Sequence, residues 1–102
     1  MKIEYLPAAW EDLKRIEDWY LMRFDGKTAL KVTTAIVRAI SRLADHPDSG
    51  SLTPSDWANA LGFRMVIQKR HVAFYKIDNG TIYIHHIADA RQDYGKLFGG
   101  EK

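Results

Sequence analysis

Asn79-Gly80 sits between two runs of alternating apolar and polar residues, 71–78 and 81–88, and restricts what this chain can fold into more than any other feature. A two-residue type I′ turn needs positive φ at both central positions, which asparagine and glycine tolerate and other residues resist. The runs are therefore expected to be antiparallel strands in a fixed register. On that register Tyr75 faces Ile84, Lys76 faces Tyr83, Phe74 faces His85 and Ala73 faces His86. Ala73, Tyr75, Ile77, Ile82 and Ile84 then share one face, and Val72, Phe74, Lys76, Tyr83, His85 and Ile87 the other.

A hairpin needs a third strand and a cover to bury its apolar face. Phe63, Met65 and Ile67 alternate with Arg64, Val66 and Gln68, which reads as that strand. Residues 2–6 alternate charged and apolar side chains and read as a short opening strand, followed by Pro7 at a helix start. Leu13, Ile16, Tyr20 and Phe24 then recur at helical spacing, with Glu11, Asp12, Lys14, Arg15, Glu17 and Asp18 on the other side. Asp25-Gly26 is expected to end this helix in a left-handed residue. A second helix runs from about Lys27, with Ala29, Thr33, Ile36, Ile40 and Leu43 on one stripe and Lys31, Arg38 and Arg42 opposite, until His46-Pro47. So short a link makes the two helices antiparallel. The expected architecture is α+β, in the order strand, helix, helix and three strands. The helical hairpin covers an antiparallel sheet, and a short helix or tail follows over 91–98.

With 102 residues and 46% apolar content the chain makes one domain with one core. Residues 46–54, rich in Pro, Ser and Gly, are a connector within it. The absence of cysteine removes disulfides, thiolate nucleophiles and thiolate metal sites, and an N-terminus without an apolar run fits a cytoplasmic protein.

The formal charge of +2 is unevenly spread: residues 1–50 hold eight basic and eight acidic side chains, and 51–102 hold seven and five. Residues 57–77 carry Arg64, Lys69, Arg70 and Lys76 beside His71, with no acid. Such a stretch is either an anion-binding surface or a strand edge guarded by cations. His85-His86 are adjacent in a strand and point apart, so no metal site is indicated, and no cofactor motif is present. The hairpin end away from Asn79-Gly80 is expected to gather Arg64, Lys69, Arg70, His71, His85, Arg91 and Tyr94. That set suits phosphate binding, and a histidine with a tyrosine suits acid–base work on a ribose hydroxyl.

Several segments, in order, resemble the RelE/ParE superfamily of bacterial type II toxin–antitoxin toxins. They are Tyr5-Leu6-Pro7-Ala8-Ala9-Trp10-Glu11-Asp12-Leu13 at the strand-to-helix start and Leu43-Ala44-Asp45-His46-Pro47-Asp48-Ser49-Gly50 after the helices. Gly62-Phe63-Arg64, Arg70-His71-Val72-Ala73-Phe74-Tyr75-Lys76, Ile82-Tyr83-Ile84 and Ile87-Ala88-Asp89-Ala90-Arg91-Gln92-Asp93 follow the superfamily's sheet. The resemblance covers nearly the whole chain.

It implies a toxin that inhibits growth and is neutralised by a cognate antitoxin, acidic and partly disordered, in a hetero-oligomer. RelE-like members cleave mRNA on the ribosome with basic residues on the central strands and commonly a C-terminal Tyr or His. ParE-like members poison DNA gyrase. Val72 falls where RelE-like enzymes place a transition-state arginine, and the His71-Val72-Ala73-Phe74-Tyr75-Lys76 segment and the Leu97-Phe98 ending resemble the ParE-like branch more closely. The lead expectation is thus a ParE-like, non-enzymatic inhibitor of gyrase. The alternatives are a RelE-like endoribonuclease using the basic cluster, and a non-toxic homologue that only binds antitoxin. Target binding is expected from Arg64, Arg70, His71, Arg91 and Tyr94, and antitoxin binding from Trp10, Trp19, Trp57, Phe74 and Tyr83.

Overall fold

The structure, a computed structural model, describes residues 1–89. Strand β1 (Lys2–Tyr5) leads into helix α1 (Pro7–Arg23) and helix α2 (Gly26–Ser41); a short helix α3 (Asp56–Ala60) precedes strands β2 (Arg64–Gln68), β3 (His71–Asp78) and β4 (Thr81–Asp89). The sheet order is β1-β4-β3-β2. Neighbours β2, β3 and β4 are antiparallel, whereas β1 lies parallel to β4, with Lys2 beside Thr81 and Tyr5 beside Ile84. The parallel pair follows from chain direction: α1 and α2 return the chain to the side from which β1 left.

Both helices start by identifiable chemistry. Pro7 occupies the first turn of α1, where its missing N–H is not needed. The break after α1 differs from the expectation, because Gly26 is not left-handed. Phe24 leaves the helix with φ −130° and ψ −105°, and Asp25 caps α2 by accepting from the Thr28 N–H at 2.7 Å. Hydrogen bonding from Thr28, first through its side chain and then through this N–H, holds the Asp25 pKa below its ordinary value. Helix α2 ends at Ser41 and tightens into a 3₁₀ turn over Arg42–Ala44.

The main core joins Ala9 and Leu13 of α1 and Ile36 and Ile40 of α2 to Tyr75, Ile82, Ile84 and Ile87 of the sheet. Tyr75 is almost fully buried, and its hydroxyl donates to the Pro47 carbonyl at 3.1 Å. Gly50 passes so close to this ring that a Cβ there would collide with it. A second, smaller cluster holds Val72, Phe74 and Ala88, with Met65 packed against it.

The register from Asp78↔Thr81 to Tyr75↔Ile84 is the one Asn79-Gly80 dictates, but it shifts by one residue between Tyr75 and Phe74. Phe74 faces His86, not His85, and Ala73 faces Ile87, not His86. A β-bulge of this kind leaves one residue unpaired and reverses the facing of everything beyond it. Ile87 therefore packs in the core under the helices and not on the second face, and Phe74 is fully buried.

Candidate functional site

The turn from β2 to β3 is where charge, burial and open space coincide. Gln68 and His71 are the last paired residues of these strands, so Lys69 and Arg70 alone make the connection. Lys69 adopts φ 55°, a left-handed conformation that costs a residue with a Cβ about 1 kcal/mol. Glycine and asparagine are the usual occupants of such a position. Here the strained position displays a lysine.

His71 is only 6% exposed and meets the Tyr20 ring of α1 edge-on, with centroids 6.0 Å apart. Its imidazole makes no hydrogen bond among the described residues. Burial lowers its pKa from the ordinary histidine value; the nearby Asp89 charge opposes the shift and Arg70 adds to it. The neutral form of the ring is favoured accordingly.

Two clefts flank this histidine. One, of about 230 Å³, is lined by Asp12, Arg15, Trp19 and Asp89; the other, of about 320 Å³, by Lys31, Val32, Ala35, Ile36, Gln68 and Lys69. Tyr20, Arg70 and His71 line both, so the clefts form one groove across the end of the sheet, pinched at the Tyr20–His71 contact.

Asp12 fixes one wall. Its Oδ2 accepts from the Ile87 N–H at 3.0 Å and faces His86 Nδ1 at 3.2 Å, while Oδ1 accepts from Arg15 at 3.0 Å. The carboxylate thus binds the bulged part of β4 to α1. The helical pattern had placed Asp12 among the solvent-facing residues, but its side chain is 13% exposed. Its adjacency to Leu13, at the border of the apolar stripe, was the only hint of this in the sequence.

The expected basic cluster does not assemble as one site. Lys69, Arg70 and His71 are together, but Arg64 pairs with Tyr75, four ladder positions away from the Gln68–His71 pair, or about 13 Å along the strand. Arg64 donates to the Phe63 carbonyl and lines a separate pocket of about 310 Å³ with Pro47, Asp48 and Tyr75. His85, beside the bulge, packs edge-on against Phe63 with ring centroids 4.9 Å apart, and burial lowers its pKa, with His86 and Lys76 adding to the effect. Arg91 and Tyr94 lie outside the described residues, as does the expected helix or tail over 91–98.

The expected docking residues also divide. Trp10 is 55% exposed, stacks on Tyr5 and borders a groove of about 520 Å³ between the helices. Trp19 carries the Arg23 guanidinium over its ring at 4.4 Å, Trp57 is exposed on α3, and Tyr83 is half-buried. Phe74 corrects the expectation, since its complete burial leaves it no surface to offer. Lys31 and Tyr20 were missed: the pattern put Lys31 on the solvent face and Tyr20 in the core, and neither carries a signal for a groove between helices and a turn.

The fold has counterparts. One solved structure, "Chromosomal ParDE TA system from P. aeruginosa", superposes with a TM-score of 0.76 at 21% identity, over 89% of this chain and 97% of that one. The RelBE2 toxin–antitoxin complex of Mycobacterium tuberculosis superposes with a TM-score of 0.62 at 17% identity, over 86% of this chain and 95% of that one. No curated protein matches at the sequence level. The fold is thus one found in toxin–antitoxin assemblies. The model of the ParE toxin of type II toxin–antitoxin systems, parDE, matches residues 3–94, and the chain belongs to that family.

Proposed function

We propose that this ParE-family chain arrests growth by poisoning DNA gyrase in the cytoplasm, and that a cognate antitoxin holds it inactive in a hetero-oligomer. The observation that carries the reading is Val72. At the strand position where RelE-like nucleases carry an arginine, this chain has a valine that is 1% exposed. Phosphoryl chemistry needs a preorganised cation facing the developing charge, and a buried aliphatic side chain offers none. The separation of Arg64 from Lys69, Arg70 and His71 points the same way, because catalytic groups must converge on one substrate geometry. A docking surface has no such requirement.

The test measures supercoiling by purified gyrase and mRNA cleavage in a translating extract with the same preparation of free protein. The expected result is loss of supercoiling with intact mRNA. Cleaved mRNA with unaffected gyrase overturns the proposal and assigns the RelE-like activity. Retained antitoxin binding with neither activity assigns the non-toxic homologue.

A further inference from the structure

The half of the groove on the α2 side has an unusual composition. Its floor is aliphatic and aromatic, made by Val32, Ala35, Ile36 and Tyr20. Its rim carries Lys31 from α2 and Lys69 and Arg70 from the strained turn, and no Asp or Glu among the described residues lines it. Among the described residues none of these three cations has an ion pair, whereas Lys2, Lys14 and Arg15 each do. Behind them His71, nine-tenths buried and without a hydrogen bond among the described residues, borders the same space.

We propose that this groove receives an acidic, apolar segment of the neutralising antitoxin, its aliphatic side chains on the Val32–Ile36 floor and its carboxylates at the Lys31–Lys69–Arg70 rim, with one of them paired to His71. The proposal rests on the toxin–antitoxin reading but not on the identity of the toxin's target. Charge complementarity selects the occupant: unpaired cations around an apolar floor gain most from a chain that supplies both carboxylates and aliphatic groups. Single-stranded nucleic acid fits less well. It needs open aromatic faces for its bases, and Tyr20, the one phenyl ring among the described residues that line this half, is already in contact with His71.

The pairing with His71 gives binding a proton linkage. Among the described residues, the groups around this imidazole in the free protein are Asp89 on β4, Arg70 in the turn, Tyr20, Arg15 and Asp12 on α1, and Lys31 on α2. An incoming carboxylate favours the imidazolium, so binding takes up a proton and strengthens as pH falls from 8 to 6.

The experiment titrates the purified full chain with a synthetic ten-residue peptide alternating Leu and Glu, its Leu–Gln counterpart, and a decauridylate, at pH 8 and pH 6. The His71 ring is followed by NMR in the unmutated protein, so no variant need fold for the result to be read. The expected outcome is binding of the Leu–Glu peptide alone, about tenfold tighter at pH 6, with a rise in the His71 pKa on binding. Lys31→Gln or Arg70→Gln should each weaken it several-fold, and Lys14→Gln should leave it unchanged. His71→Gln should remove the pH dependence while retaining binding. Equal affinity for the Leu–Gln peptide, preference for the oligonucleotide, or an unmoved His71 pKa overturns the proposal. A protein that inhibits gyrase yet ignores the acidic peptide keeps the proposed function and loses only this groove.

Discussion

The two ends of the β3–β4 hairpin solve the same geometric problem with different chemistry. At the solvent end, Asn79 at φ 49° and Gly80 at φ 77° make a turn from residues suited to it, and the strands stay in simple register as far as Tyr75 and Ile84. At the far end the strands are one residue out of that register, Asp12 reaches in from α1 to hold the shifted part, and the neighbouring turn forces Lys69 to φ 55°. The first end uses residues suited to its turn, and the second carries local strain where cations stand beside a groove. Local conflicts of this kind are expected where a surface has a task besides stability.

The contrast is most sharply broken by deletion. Removing Tyr83 shifts one residue in the regular half and turns Ile82 or Ile84, both completely buried, toward the wrong face. Each misplaced isoleucine forfeits about 1.5–3 kcal/mol, a large part of a small domain's stability of roughly 5–15 kcal/mol, so circular dichroism should show an unfolded chain. Removing His85 should do the opposite and leave a cooperative thermal transition. It makes the Tyr75↔Ile84 and Phe74↔His86 pairs consecutive and merely removes the bulge.

A step down in size is Asp12→Ala, which strands the Ile87 N–H and should cost about 2–3 kcal/mol in urea unfolding. Asp12→Asn keeps an acceptor for that N–H and should lose less. The turns themselves should respond in opposite directions. Lys69→Gly relieves the positive φ and should stabilise by up to about 1 kcal/mol, while Gly80→Ala, at φ 77°, should destabilise by a similar amount.

The smallest effect is on pH. His71 and His85 have folded-state pKa values below their unfolded values, so the unfolded chain binds more protons. Stability from keeping them neutral is complete above the unfolded value of about 6.5 and is lost as pH falls through it toward the folded values. The urea midpoint should drop between pH 8 and pH 5, and His71→Gln should reduce the drop.

What could be read from the sequence tracks the range of the interactions involved. The stripe Leu13, Ile16 and Tyr20, the Asn79-Gly80 turn and the first pairs beyond it depend on neighbours a few residues apart, and all are present in the structure. The bulge is not local. It satisfies the packing of Ile87 against the helices and the bonds to Asp12, residues that only the folded chain brings together. Helix α3 was hidden for a different reason. It is five residues long, too short for a periodic pattern, and only its Ser55 cap, accepting from Ala58 N–H at 3.0 Å, marks it. The candidate groove was half legible: Lys69, Arg70 and His71 stand out as an acid-free run, but Lys31 and Tyr20 reach it only through the crossing of the helices over the sheet.

The parallel placement of β1 beside β4 has a consequence for how the protein comes into being. Lys2 waits for Thr81 and its neighbours, which are made long after it. Contacts that span so much of the chain form late. The sheet cannot be completed during synthesis of the helices, or even of β3, and Ile82 and Ile84 of the core arrive with β4. A growing copy has no finished sheet until β4 has been made, so any surface that the sheet and helices share exists only from then on.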